Sequence, residues 1–248
     1  MKFATSLTSS EGKRLIAKGV AALPSVRKAY EEGILVIGRG TTNALLVEEL
    51  TGEEIDRGSY SAGITVPAHK RFKRLNYDEY LFEKGEKLTD TTSGEVAKRM
   101  KRGDVFIKGA NALNYASGIA GVLIGHTEGG TLGAYPLLVS RKIELVIPVG
   151  LEKEIATDIM RAAELIREPG VEIEGVPSLF PIQGTVITEI EAIAVLTGAT
   201  AIQIGAGGVN GAEGAVWLMV SGSEEAIAEA RGLLDSIKGE PPITLPEE

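Results

Sequence analysis

The stretch Gly121–Gly150, GVLIGHTEGGTLGAYPLLVSRKIELVIPVG, sets two short apolar runs on either side of a glycine-rich loop and a segment of helical length. That order constrains the fold more than any other part of the chain. Ala120–Ile124 and Ile143–Val149 read as strands buried on both faces. Thr131–Lys142 has the length of about three helical turns, and Arg141 and Lys142 stand at its C-terminal end, where the helix dipole favours positive charge. Strand, helix and strand in this order predict a βαβ crossover, right-handed and belonging to a parallel sheet. The loop Gly125, His126, Thr127, Glu128, Gly129, Gly130, Thr131 is then expected at the carboxyl end of a strand and the amino end of a helix, where open α/β sheets hold their ligands.

The rest of the chain suits such a sheet. Hydrophobic residues make up 44% of it but aromatics only 5%, so the core must be built from Ile, Val, Leu and Ala. There is no cysteine, which removes disulfides, thiolate metal sites and cysteine nucleophiles, and fits an intracellular protein. The N-terminal residues contain no apolar run of signal-peptide length, and no run approaches the roughly 18 apolar residues of a membrane span. A cytoplasmic protein without a membrane partner is expected. With 34 acidic against 26 basic residues the net charge is −8. A nucleic-acid partner is therefore not expected; the basic cluster His69, Lys70, Arg71, Phe72, Lys73, Arg74 reads as a solvated loop.

Along the chain, Thr8–Glu11 forms a capping box before the helical spacing of Ile16, Val20, Leu23, Val26 and Tyr30, which Pro24 interrupts. Ile34–Ile37 predicts a strand, followed by the turn Gly38, Arg39, Gly40, Thr41 and a helix to about Leu50 that Gly52 stops. Strand, glycine turn, threonines and helix together describe an anion cradle. The glycines let backbone N–H groups approach a ligand, while Thr41, Thr42 and the helix N-terminus supply donors. A dinucleotide fingerprint would require a third glycine where Asn43 stands and an acid at the end of the next strand, so NAD binding is not indicated.

Tyr60–Val66 and Tyr80–Phe82 read as short strands, and a second capping box, Thr92–Glu95, opens a helix to about Arg102. Asp104–Ile107 is a strand that delivers Lys108, Gly109, Ala110 and Asn111. Lys108 and Asn111 are candidate ligand-facing residues, and Asn111 reads equally well as a turn residue. Ile155–Ile166 predicts an amphipathic helix. From Pro169 the pattern changes: a strand over Val171–Val176, a helix over Thr185–Leu196, strands over Ala201–Ile204 and Ala215–Val220, and a helix over Ser223–Lys238. This predicts a Rossmann-like α/β domain over residues 1–168, with a mostly parallel sheet and helices on both faces. A small α+β, ferredoxin-like domain would follow over 169–240 and a tail over 241–248. The glycine-rich loop Gly205–Gly214 joins the two later strands.

Around GRGTT, IKGAN and HTEGGT, residues 10–150 resemble the superfamily of ribose-5-phosphate isomerase, glucosamine-6-phosphate deaminase and the CoA transferases. The resemblance implies a Rossmann-like sheet in which Gly38, Arg39, Gly40, Thr41 and Thr42 hold phosphate while Lys108, Gly109, Ala110 and Asn111 face a sugar phosphate. The isomerases of this group place a carboxylate where Asn111 stands, so proton transfer would have to move to Glu128 or Asp104. Thr127, Glu128, Gly129, Gly130 also resembles the glutamate loop of the CoA transferases. There Glu128 would be the nucleophile and N–H groups of the flanking glycines would face the developing charge, with Gly129, Gly130 and Thr131 among the ligand- or phosphate-binding residues. His126 would be a proton partner, or a loop histidine bonded to backbone.

Two readings stay open. One is an enzyme of isomerase, lyase or transferase type acting on a phosphorylated or CoA-linked metabolite, with Glu128, His126, Lys108 and Asn111 as its catalytic candidates. The other is a non-catalytic or regulatory protein that binds a small anionic metabolite in the same fold. No cofactor is specified, no spacing marks a metal site, and assembly into a homo-oligomer is compatible with either reading.

Overall fold

The computed structural model describes residues 1–67, 72, 79–125, 130–170 and 177–245. The basic cluster apart from Phe72, the residues His126–Gly129 and the expected strand Val171–Val176 lie outside them.

β1 (Lys2–Leu7) leads into α1 (Ser9–Ala22), capped as expected: the Thr8 hydroxyl accepts the Glu11 N–H and the Glu11 carboxylate accepts the Thr8 N–H. Pro24 ends α1 and opens α2 (Pro24–Glu32) at a position where no N–H is needed. β2 (Ile34–Ile37), buried throughout, passes through Gly38–Gly40 into α3 (Thr41–Thr51), which Gly52 terminates at φ 72°. Then follow β3 (Tyr80–Glu83), β4 (Glu86–Lys87), α4 (Ser93–Ala97), β5 (Val105–Ile107), β6 (Ala112–Asn114), β7 (Ile119–Ile124), α5 (Tyr135–Arg141) and β8 (Glu144–Pro148). The chain ends with α6 (Ile159–Ile166), β9 (Ser178–Gln183), β10 (Thr185–Ile187), α7 (Glu189–Thr197), β11 (Thr200–Ala206), β12 (Val216–Ser221) and α8 (Glu224–Ser236).

The result is a mixed α/β fold around a six-stranded, mostly parallel sheet of order β10-β8-β5-β2-β3-β4. β10, β8, β5 and β2 run parallel to one another, and β3 and β4 add an antiparallel edge. β2, α3 and β5 make a crossover into which β3, β4 and α4 are inserted. The crossover expected from Gly121–Gly150 is not formed, because β7 lies outside this sheet. It pairs antiparallel with β6 and β9 in a separate three-stranded sheet. The reason is local: Tyr115–Ser117 and Gly118, at φ 66°, turn β6 straight back onto β7, and a hairpin partner close in sequence takes the strand. β7 is also not buried on both faces, since Leu123 is exposed.

Strand pairing runs across residue 168. β1 and β11 flank β12 in a third sheet, with Leu7 opposite Val216, and β10 extends the central sheet beside β8. α7 begins only at Glu189 rather than at Thr185, because the β-branched Thr185, Val186 and Ile187 join the sheet and Thr188 forms a capping box with Glu191. α6 likewise starts late, behind an Asp158 cap, since the Ile155 N–H is taken by the Leu113 carbonyl. Tyr60–Val66 forms no strand; Tyr60 sits buried in a turn. One hydrophobic cluster, mostly Leu, Ile, Val and Ala, joins the central sheet to α7, α8 and β12. α1 and α7 approach closely enough that a Cβ on Gly19 would stand 2.6 Å from the Ala192 Cβ.

Candidate functional site

Beyond the carboxyl ends of β2, β5 and β8, three neighbouring parallel strands, the chain leaves a pocket lined by Arg39–Asn43, Ala62–Ile64, Lys108–Asn111, Pro148 and Lys153. This is where a parallel sheet offers a site, because successive βα connections splay apart there. The volume is about 40 Å³. One water needs roughly 10–15 Å³ on such a measure, so a phosphate-sized group could replace the few waters that would fit.

The first wall is the turn into α3. The Gly38 N–H donates to the Ile107 carbonyl at 2.8 Å, and a Cβ on Gly38 would meet that carbonyl at 3.1 Å and the Lys108 Cδ at 3.2 Å. A side chain at Gly38 would crowd the end of β5. Asn43, standing where a dinucleotide site would need glycine, donates from Nδ2 to the Gly38 carbonyl at 2.6 Å and pins the turn. Residues 59 and 60 brace it from behind: Arg39 donates to the Ser59 carbonyl at 3.1 Å and the Gly40 N–H to the Tyr60 carbonyl at 3.0 Å. Gly40 caps α3 with no side chain, so among the described residues the N–H groups of Thr41, Thr42 and Asn43 have no protein acceptor. The positive end of the helix dipole opens into the pocket.

Two lysines form the second wall. Lys108 Nζ donates to the Gly109 carbonyl at 3.3 Å and Lys153 Nζ to the Ala110 carbonyl at 2.8 Å. Both amines are therefore tethered to consecutive carbonyls of one loop. Among the described residues neither makes an ion pair with a carboxylate. Burial, and then the charge of Lys153, pulls the Lys108 ammonium down to about 8. Burial also lowers Lys153, opposed by the nearby carboxylates of Glu152 and Glu189. A partly desolvated cation without a counter-ion costs its own fold some stability, and a bound anion offsets that cost.

Of the residues singled out in the sequence, Arg39, Gly40, Thr41, Thr42, Lys108 and Asn111 all line this pocket, with Gly38 directly behind it. Thr131 reaches the same turn: its Cγ2 lies 3.4 Å from the Cβ position of Gly38, and Gly130 precedes it at φ 53°. Glu128, His126 and Gly129 lie outside the described residues. Asn111 donates from Nδ2 to the Gly63 carbonyl at 2.6 Å and accepts the Leu123 N–H at 3.0 Å, so both ends of its amide bracket the pocket wall. Asp104, the alternative acid, is at the opposite end of the sheet. It is buried, with one oxygen on the Ile34 N–H and the other on the Lys101 N–H, and is corrected from candidate base to structural tie. Lys153 is not marked by any motif in the sequence. It follows a strand of the same sheet, and the reasoning that selects Lys108 after β5 applies equally to the residues after β8. The Gly205–Gly214 loop does not line the pocket; its end at Gly214 rests on Glu152.

Behind Lys153 lies a carboxylate that carries a separate consequence. Glu189 is only 1% exposed, accepts the Leu151 N–H at 2.9 Å, and leaves so little space that a Cβ on Gly12 would stand 2.5 Å from its Oε1. Burial, and then the neighbouring Glu152, push its carboxyl up from the ordinary 4.5 to about 7. Between those pH values the folded chain holds a proton that the unfolded chain has released, so stability falls as pH rises through this window and levels off above it. Glu189→Gln should remove that slope. Urea midpoints at pH 5 and pH 8 measure it, with wild type losing on the order of 2 kcal/mol across the interval and the variant losing clearly less. Equal losses would contradict the assignment.

Comparisons with protein-family models, with curated proteins and with solved structures give no match for this chain. Among the described residues, no three histidines or carboxylates cluster as metal ligands would, and no helix is long and apolar enough to cross a membrane.

Proposed function

We propose that the pocket beyond β2, β5 and β8 holds a small phosphorylated metabolite, with the phosphate inward on the first turn of α3 and between Lys108 and Lys153. One observation carries this reading: an uncapped helix N-terminus and two half-buried lysines, neither paired with a carboxylate among the described residues, line the same phosphate-sized space. Each alone has a structural explanation. Together they gather several N–H donors and two positive charges around a volume whose described lining holds no negative group to balance them.

The chemistry expected of an isomerase, lyase or CoA transferase rests on Glu128 and His126, and that role is a proposal of this reading. Glu128→Gln should abolish turnover of the physiological substrate while leaving phosphate binding intact. The non-catalytic alternative draws support from Asn111, whose amide is committed at both ends to backbone and is not available for proton transfer.

Melting curves in inorganic phosphate and in a panel of phosphosugars test the seat. A ligand at a hundred times its Kd should add about 2.7 kcal/mol of stability. With a smaller gain for the unphosphorylated sugars, that result supports the reading; no stabilisation by any phosphorylated compound refutes it. Compounds that stabilise and are also converted identify an enzyme, whereas stabilisation without conversion favours the binding protein.

A further inference from the structure

The two lysines differ in a way that simple phosphate binding does not require. Lys153 has Glu152 and Glu189 close enough to favour its charge, whereas among the described residues the ionised neighbour that acts on Lys108 is Lys153, a like charge. Lys108 sits directly at the end of β5, its stem packed against Gly38 and its amine held, among the described residues, by nothing stronger than the Gly109 carbonyl at 3.3 Å. A lysine that is half-buried, has no carboxylate on it among the described residues and lies beside a second cation is set up to act as a neutral amine. Phosphate recognition alone needs only a lasting positive charge, which arginine keeps at any pH and a lysine in this setting does not.

Resting on the phosphate seat proposed above, we infer that Lys108 forms an imine with the carbonyl carbon of a phosphorylated aldehyde or ketone whose phosphate is held by Lys153 and the N-terminus of α3. The Lys108 nitrogen lone pair attacks the carbonyl carbon and the C–O π pair moves to oxygen. One nitrogen proton moves to that oxygen, which takes a second from solvent; the nitrogen lone pair then forms the C=N bond as the C–O bond breaks and water leaves. No oxidant or reductant is consumed. The iminium so formed keeps a positive charge at the place the ammonium occupied, so the phosphate retains both of its cationic neighbours. The substrate class is thereby narrowed to short phosphorylated carbonyl compounds, in which phosphate and carbonyl are a few bonds apart.

The test is reductive trapping on the full chain. Glyceraldehyde 3-phosphate with sodium cyanoborohydride, at neutral pH, should convert Lys108 to a stable secondary amine, read by peptide mass spectrometry. Its lower basicity leaves far more free amine than a surface lysine has, so labelling at Lys108 should exceed that at any other lysine by at least about tenfold. Inorganic phosphate should suppress it, and unphosphorylated glyceraldehyde should label Lys108 much less. Lys108→Arg should lose the label yet still be stabilised by phosphate. Labelling spread over surface lysines, or centred on Lys153, in a protein that phosphate still stabilises would overturn the imine and leave the seat standing. Absence of both labelling and phosphate stabilisation overturns the two together.

Discussion

Replacing Arg14 by methionine is expected to cost about 3 kcal/mol of stability, the scale for removing one partner of a buried ion pair, and to lower the melting temperature by about 6–12 °C. Arg14 is only 8% exposed and stands at the centre of a charge cluster. Its guanidinium donates to Glu48 at 2.7 Å, to Glu49 at 2.8 Å and to Glu240 at 2.9 Å, and Arg57 bridges Glu48 and Glu240 from the other side. Methionine fills the space but leaves three carboxylates to share Arg57 and Lys18. The cluster ties α1, the C-terminal part of α3 and the turn that carries Arg57 to the residues after α8. Adding Glu48→Gln to Arg14→Met should recover part of the loss, because the excess negative charge is the cause. A melting temperature within a degree or two of wild type for the single variant would show that the cluster is solvated and contributes little.

The second large effect concerns Lys108→Met and has two parts of opposite sign. A charge-assisted hydrogen bond to a buried anion contributes about 1.5–3 kcal/mol, so the affinity for inorganic phosphate should fall by roughly 10- to 150-fold. The ligand-free variant, in contrast, should melt no lower than wild type. Methionine matches the lysine stem and removes a partly desolvated charge that, among the described residues, has no carboxylate to offset its desolvation. A site maintained for function at the expense of stability gives this pairing, and a lysine kept for structure does not. Calorimetric titration with phosphate and a thermal melt of the same samples measure both parts. Unchanged affinity, or a clear fall in the melting temperature of the ligand-free protein, would place Lys108 among the structural residues.

Much of this arrangement is legible in the sequence, and the departures have physical causes. The capping boxes at Thr8 and Thr92, the glycine stop at Gly52 and the strands Ile34–Ile37 and Asp104–Ile107 are encoded within a few residues and lie close to where the pattern places them. For the same reason Gly38–Thr42 and Lys108–Asn111 are assigned to the carboxyl ends of strands by local pattern alone. Sheet membership is not local. Ile119–Ile124 has the apolar run of a central parallel strand, yet the turn at Gly118 gives it to β6, and Lys2–Leu7 pairs with a strand more than 200 residues away that no neighbouring pattern indicates. The helix expected at Thr185 loses its first turn to pairing with β8 for the same reason. Glu240, at the boundary of the expected tail, is held by two arginines far from it in sequence. The site follows the same rule. Lys153 carries no local signal, because the glycine loop that stands out in the sequence follows β7, whereas the strand that completes the pocket is β8.

Every role proposed for this pocket depends on an anion occupying the space between the α3 N-terminus and the two lysines. The most direct measurement is a crystal grown without phosphate or sulfate and soaked in tungstate, whose anomalous scattering marks the anion without reference to the surrounding density. The expected result is a strong peak within hydrogen-bonding distance of the N–H groups of Thr41, Thr42 and Asn43 and of the amines of Lys108 and Lys153, which inorganic phosphate displaces. Peaks confined to surface lysines and arginines, with the pocket holding only water, would contradict it.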